Sequence, residues 1–404
     1  MIIKPLIRDN ICLSSHPVGC AAAVRRHIDL TRRQFEHTGT LEDQPLRLAL
    51  VIGCSTGYGL AGRIVASFGY GAATVGISYE KAGTATKPGS PGWYNNRTFT
   101  AEAALSGLCS TTLDGDAFQD ATKDKAADAI RELARAANIP PLVDLIIYSL
   151  ASPVRVDPES AVMYRSVIKP IGQPFSGQTI DMLTGKIREI SVEPATEDEI
   201  FQTVKVMGGE DWERWIGALD KAGVLSPHAR TIAYTYIGPE LSWAIYKNGT
   251  IGRAKADLER AAKAINEKFS SRRMAWVSVN KALVTRSSAV IPIIPFYMSC
   301  LFKVMKEKGL HEGCIEQSIR LFRDRLYADN AKIPVDGDGR IRIDDWEMRE
   351  DVQRETAERM QGVTQDNLFI QTDIAGFKRD FLETHGFDIP GVDYEADVDL
   401  AQFI

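Results

Sequence analysis

The tightest constraint on the fold of this 404-residue chain is one join: Leu46-Arg-Leu-Ala-Leu-Val-Ile-Gly-Cys-Ser-Thr-Gly-Tyr-Gly59. Leu46 to Ile52 is short, apolar and bounded by Pro45 and Gly53, which reads as a strand buried on both faces. Gly53, Gly57 and Gly59 follow, and then an apolar helical run from Leu60 to Phe68. Glycine lets backbone come close to a pyrophosphate, and a helix N-terminus offers it free N–H groups and positive dipole. The spacing Gly-x-x-x-Gly-x-Gly is a weak signal alone, but here it sits between a strand and a helix, where the chemistry needs it.

The next strand, Ala73 to Glu80, ends in an acid 27 positions after Gly53. A carboxylate there can accept adenosine ribose hydroxyls and repel a 2′-phosphate, which favours NAD(H) over NADP(H). The bland alternative for Glu80 is a solvated strand end. Alternation continues with a strand at Leu108–Leu113 running into Asp114-Gly-Asp-Ala117, then a helical run from Ala121 to about Ala137. Further strands are expected at Leu142–Tyr148, Thr231–Ile237 and Ala275–Val279. Strands separated by helices predict an α/β fold: a Rossmann-type doubly wound parallel sheet, with ligands at the carboxyl ends of its strands.

Around that sheet, residues from Pro153 to about Ile200 read as irregular structure or hairpins laid over the ligand edge. The Gly/Pro-rich stretch Lys81–Gly92 reads as a functional loop. Ala289–Lys308, with Pro292 and Pro295, reads as a buried or covering helix. The run Lys303 to Lys308 is a helix face, or alternatively a contact for a CoA phosphate or an acidic carrier. The whole is read as a single domain, residues 1–404, with a core of about 46–325, a covering insertion of about 153–200 and a C-terminal wrap of about 326–404.

Composition narrows the classes. A net charge of −5 gives no reason to expect nucleic acid. No apolar run is long enough for a bilayer, and the N-terminus lacks a signal-peptide core. The cysteines at 12, 20, 54, 109, 300 and 314 show no metal or disulfide spacing and suggest reduced thiols in a cytoplasmic enzyme. The histidines at 16, 27, 37, 228, 311 and 385 show no ligand spacing, so no metal is expected. Asp336-Gly-Asp-Gly339 with Glu347 imitates a calcium loop, but Arg340 stands at the fifth position and the sixth lacks its glycine; a solvated turn is expected.

One short stretch carries a possible chemistry. In Tyr246-Lys-Asn-Gly-Thr-Ile-Gly-Arg-Ala-Lys255 the tyrosine and lysine are nine positions apart. On one unbroken helix they would face opposite ways. Asn248-Gly249 signals a turn, however, and Thr250 is a suitable N-cap for a helix over Ile251–Glu259. Tyr246 then lies ahead of the helix and can curl back towards Lys255. By itself this is weaker than a chance surface pair.

Taken together, the glycine turn, the second-strand acid and the tyrosine–lysine pair resemble the short-chain dehydrogenase plan. The Tyr-x8-Lys spacing resembles that of the trans-2-enoyl-CoA/acyl-carrier-protein reductases of the FabV/TER type. So do GCSTGYG (53–59), PGWYNN (91–96), YSLASPVR (148–155), VMGGEDWERW (206–215), YTYIGPE (234–240) and KVMKEKGLHEGCIEQ (303–317). The resemblance covers nearly the whole chain. It implies NADH-dependent reduction of a 2-enoyl thioester, as enoyl-CoA or enoyl-acyl-carrier-protein, by a monomer.

The same resemblance assigns roles by position. Gly53, Cys54, Ser55, Thr56, Gly57 and Tyr58 would hold the dinucleotide phosphates, and Tyr79 and Glu80 the adenosine ribose. Asp116 and Ala117 would flank the adenine, Leu150 and Ala151 would line the cofactor, and Leu283, Val284 and Thr285 would border the nicotinamide. Tyr236 and Tyr246 would face the acyl thioester, and Lys255 would bind the nicotinamide ribose and lower the phenol's pKa. Tyr234 is expected to pack in the core. A 3-oxoacyl reductase and a non-catalytic cofactor sensor are the competing classes; the sensor would need neither Tyr246 nor Lys255.

Overall fold

The computed structural model describes residues 1–403 except 9–10, 36–45, 182–183, 270–273, 287, 289–290, 292 and 329–331. Pro45, His37, Ala289 and Pro292, used in the expectations above, lie outside the described residues.

Seven strands form the central sheet: β1 (Leu48–Ile52), β2 (Ala73–Ser78), β3 (Ser110–Asp114), β4 (Val143–Tyr148), β5 (Leu225–Thr235), β6 (Ala275–Val279) and β7 (Ile341–Arg342). Their order is β7-β6-β5-β4-β1-β2-β3, and every neighbouring pair is parallel. Strands β1, β2, β4 and β6 are buried along their whole length, which explains their unbroken apolar runs. The chain builds outward from β1 to β3, then returns and builds the other way from β4. The order reverses between β1 and β4, so their carboxyl ends open a crevice there.

One face of the sheet is covered by the helices Asp120–Ala136, Glu210–Lys221 and Thr250–Lys268, which bury Ile130, Trp212, Trp215 and Leu258. The other carries Pro17–Phe35, Gly57–Ile64, Pro91–Leu105 and Cys314–Leu321, with Ile28, Ile64, Phe99 and Ile319 inward. A third core joins the helix Ile294–Glu307 to Glu350–Gly362 and Ile374–Glu383 through Tyr297, Leu301, Val352 and Phe377.

The structure corrects several boundaries. The glycine-turn helix starts at Gly57, three residues earlier than expected, and passes into a π-helical turn at Val65–Gly69. Strand β5 starts at Leu225; its early half hides a register shift between Leu225 and Arg230 that accommodates Pro227. It also ends at Thr235, so Tyr236 lies beyond the ladder. The stretch expected as irregular structure or hairpins takes the second form, with two antiparallel hairpins, Val154–Val156 with Met163–Arg165 and Phe175–Ile180 with Ile187–Val192. The helix Glu197–Met207 begins inside it, at a reciprocal capping box between Thr196 and Glu199. The expected helix at 289–308 is observed as Ile294–Glu307, with Pro295 tolerated in its first turn.

Candidate active site

The β1 turn needs its glycines for steric reasons. Gly53 has φ +86°, and a Cβ there would lie 2.2 Å from the Ser149 carbonyl oxygen at the end of β4. A Cβ on Gly59 would lie 1.9 Å from the Gly53 carbonyl oxygen. Thr56 precedes the helix in extended conformation and makes no side-chain cap, so it leaves the first N–H groups of Gly57–Ile64 for an anion. These features fit a dinucleotide pyrophosphate. Opposite, the Thr285 methyl carbon stands 3.5 Å from the point a Gly57 Cβ would occupy. Ser288 shapes that wall: its Oγ accepts from Thr285 N at 2.8 Å and donates to Leu283 O at 2.7 Å. Leu283 and Val284 are buried.

The other expected nucleotide residues behave unequally. Leu150 packs against Gly53, while Ala151 is exposed. The Cys54 thiol is buried between Arg63 and Asn96, and the Tyr58 hydroxyl donates to Lys281 O and Gln317 Oε1, each at 3.1 Å. Both side chains are turned into the core, leaving only backbone for a cofactor. Tyr79 is 81% exposed. Glu80 is no solvated strand end: its Oε1 accepts from Ser55 Oγ at 2.6 Å and lies 3.5 Å from the Arg286 guanidinium. Asp116 Oδ1 accepts from Phe118 N at 3.0 Å, and the Ala117 carbonyl accepts from Lys123 and Trp215, each at 3.1 Å.

Around the tyrosine–lysine pair, the helix begins at Thr250 and leaves Tyr246 outside it, in the turns after Glu240–Ser242. The N-cap is Gly249, not Thr250. Thr250 instead donates to Val167 O at 2.5 Å and accepts from Lys169 N at 3.2 Å, which pins the covering segment to the helix start. Tyr246 folds back far enough for its carbonyl to accept from Gly252 N at 3.0 Å. Its ring is buried and meets Tyr236 edge-on, 5.2 Å between centroids. Among the described residues its hydroxyl makes no hydrogen bond.

Lys255 does not bond Tyr246. Its Nζ donates to the Tyr234 carbonyl at 3.0 Å, and burial pushes its pKa down to about 8. Burial pushes the Tyr246 phenol up, with no lowering from Lys255, so the expected depression of the phenol's pKa is not found. The phenol is a neutral donor. Tyr234 is a core residue, as expected: its ring packs 5.2 Å from Tyr58 and its hydroxyl is buried without a partner among the described residues.

Several residues of the site were invisible in the sequence. Glu347, which had stood as the last position of a false calcium loop, is fully buried and accepts from Tyr236, Tyr297 and Ala282. Lys281 is buried beside it, and burial lowers its pKa to about 8. Arg286 faces Glu80. Local pattern carries no signal for these, because each is defined by a partner far away in the chain. The loop Asp336–Gly339 is closed by its own contacts, with Asp336 Oδ1 accepting from Asp338 N and Arg340 N. The lysines at 303, 306 and 308 pair with Glu307, Asp373, Asp351 and Glu355 on a helix face.

With this geometry in place, the comparisons with known proteins agree along the chain. Residues 87–327 match the catalytic region of trans-2-enoyl-CoA reductase, and residues 2–85 its NAD(P)H binding domain. Residues 335–398 match a model described as an enoyl reductase FAD binding domain. The residues there do not fit a flavin dinucleotide. Their glycine turn precedes a two-residue strand instead of joining a strand to a helix, and the helices that follow bury Val352, Leu368, Phe377 and Phe381 in a packed core. A trans-2-enoyl-CoA reductase (NADH) of Treponema denticola is 54% identical over 99% of both chains. An enoyl-acyl-carrier-protein reductase (NADH) of Coxiella burnetii is 47% identical over 100% of this chain and 97% of its own. The crystal structure of the Treponema denticola enzyme with NAD superposes with a TM-score of 0.93, covering 99% of this chain and 98% of that one. The chain belongs to the trans-2-enoyl-CoA reductase family.

Proposed function

We propose that the protein reduces the 2,3-double bond of trans-2-enoyl thioesters with NADH, in fatty acid synthesis or fermentative acyl chain reduction. One observation carries the reading most directly: Tyr246 keeps its ring buried beside Tyr236, past the end of β5, while its neutral hydroxyl makes no hydrogen bond among the described residues. Bound in the crevice, NADH supplies the hydride that goes to the β-carbon. Gly53 to Tyr58 seat its phosphates and Tyr79, Glu80, Asp116 and Ala117 its adenosine; Leu150 and Ala151 lie along it, and Leu283 to Thr285 border its nicotinamide. Lys255 holds the nicotinamide ribose. Tyr246 donates to the thioester oxygen as negative charge builds there, stabilising the enolate. The α-carbon then takes a proton from Tyr246 or water. Tyr236 positions the acyl group.

The chain then acts as one catalytic unit, which is supported by contacts linking distant segments: Thr285 stands against the Gly57 turn, and Glu347 accepts from Ala282 N. The reading also makes the enzyme a cytoplasmic monomer. All six cysteines are free, which suits a reducing compartment, and no helix among the described residues is long and apolar enough to cross a membrane. Light scattering checks the monomer. The functional test is NADH oxidation with crotonyl-CoA, crotonyl-acyl-carrier-protein and acetoacetyl-CoA. Turnover of the enoyl thioesters with little of the ketone is expected. Preference for acetoacetyl-CoA would make the protein a 3-oxoacyl reductase.

A further inference from the structure

The question left by two tyrosines at one acyl site is which of them can donate. A phenol has a single proton, and an ionised carboxylate only accepts. Glu347 is fully buried and sits at the meeting point of three donors. Its Oε1 accepts from Tyr236 at 3.0 Å and Tyr297 at 2.7 Å, and its Oε2 accepts from Ala282 N at 2.7 Å. Gln353 Nε2 donates to the Tyr297 oxygen at 3.1 Å, which leaves the Tyr297 proton for Glu347. Burial pushes the Glu347 carboxyl up, and the Lys281 ammonium, the Tyr297 hydroxyl and Ala282 N–H oppose that rise; the geometry, with every polar neighbour aiming a proton at it, is that of an acceptor.

We infer that Glu347 is a positioning residue that directs the Tyr236 proton away from the substrate, leaving Tyr246 to donate to the thioester oxygen. This inference rests on the enoyl reductase reading above. With its proton on Glu347, Tyr236 presents only lone pairs to the acyl site. Lone pairs oppose a developing oxyanion, so Tyr236 acts through its ring, which abuts Tyr246 at 72°. The same carboxylate holds Ala282 N, one residue before the Leu283–Thr285 wall. One side chain therefore ties the nicotinamide side to the acyl side.

Substituting Glu347→Gln reverses one bond in a defined way. Ala282 N–H requires an acceptor, so the amide oxygen faces it and the NH2 group faces the phenol oxygens. Tyr236 then accepts, and its proton is released into the site. The test is steady-state turnover of crotonyl-CoA with NADH in Tyr246→Phe, Tyr246→Phe/Glu347→Gln, and that double variant with Tyr236→Phe added. Because Tyr236 becomes a substitute donor, the double variant is expected to exceed Tyr246→Phe by about tenfold, part of what one oxyanion donor is worth. Adding Tyr236→Phe should abolish the gain. A double variant no faster than Tyr246→Phe overturns the inference, as does a gain that survives Tyr236→Phe. Tyr236→Phe alone provides a check that leaves the carboxylate in place: less than about a tenfold loss is expected, and a loss equal to that of Tyr246→Phe overturns the inference. A parent protein that oxidises NADH with neither crotonyl-CoA nor crotonyl-acyl-carrier-protein overturns the functional reading and this inference with it. An active parent without the gain overturns the inference alone.

Discussion

Ser55 and Arg286 converge on one oxygen of Glu80, and this small cluster governs how cofactor choice should respond to mutation. In Glu80→Ala the repulsion of a 2′-phosphate disappears and Arg286 is freed to meet it. The efficiency with NADPH relative to NADH should rise by about tenfold or more, the scale of one charge contact. An unchanged ratio in steady-state assays with both cofactors would remove Glu80 from the adenosine ribose. Lys255 offers a second test. Its pKa is pushed down to about 8, so the amine is charged below that pH and neutral above it. If the ammonium holds the ribose, kcat/KM for NADH should fall as pH rises through about 8. Lys281 titrates in the same range, so the assignment needs Lys255→Met, whose residual activity should lack that descending limb. A limb that persists belongs elsewhere. At this scale a local rule reached as far as the steric need for Gly53 and Gly59 in the turn; Glu80, expected as the last residue of its strand, stands two residues past the end of β2 at Ser78. The partners of Glu80 were not legible, since Arg286 lies more than two hundred positions away.

Among elements, the two that build the site were readable for stated reasons. The β1 turn announced itself by glycines between an apolar strand and an apolar helix. The helix at Thr250 announced itself by Asn248-Gly249, although the cap proved to be Gly249 and Thr250 was recruited to hold Val167 and Lys169. The first half of β5 was missed because a register shift around Pro227 breaks the two-residue period. The helix Glu197–Met207 was missed although Thr196 and Glu199 form a readable start. Gly59→Ala would set a Cβ 1.9 Å from the Gly53 carbonyl, against backbone that cannot yield cheaply. The distortion should cost about 1–3 kcal/mol, lower the melting midpoint, and weaken NADH binding through the displaced turn. Calorimetry and fluorescence titration check both. A variant that melts and binds like the parent would show that the close approach is dispensable.

At the scale of the molecule, the parallel sheet and its crevice follow from alternating strands and helices, and that much was legible from pattern. What completes the proposed acyl side was not. Glu347 arrives after β7, from the segment expected to do no more than wrap the core, and it reaches Tyr236 across 111 positions. No period or spacing encodes a contact of that range; it exists only because β7 adds to the sheet edge beside β6 and brings the following residues over the strand ends. The distinct roles proposed for the two tyrosines therefore rest on the tertiary fold. The central claim is that the uncommitted Tyr246 hydroxyl stabilises the enolate. It is tested most directly by Tyr246→Phe, which keeps the buried ring against Tyr236 and removes only the hydroxyl. Turnover of crotonyl-CoA should fall by about a hundredfold or more while NADH affinity, read by fluorescence, stays at the parent value. Near-parent turnover in that variant would contradict the account and transfer the donor's role to Tyr236.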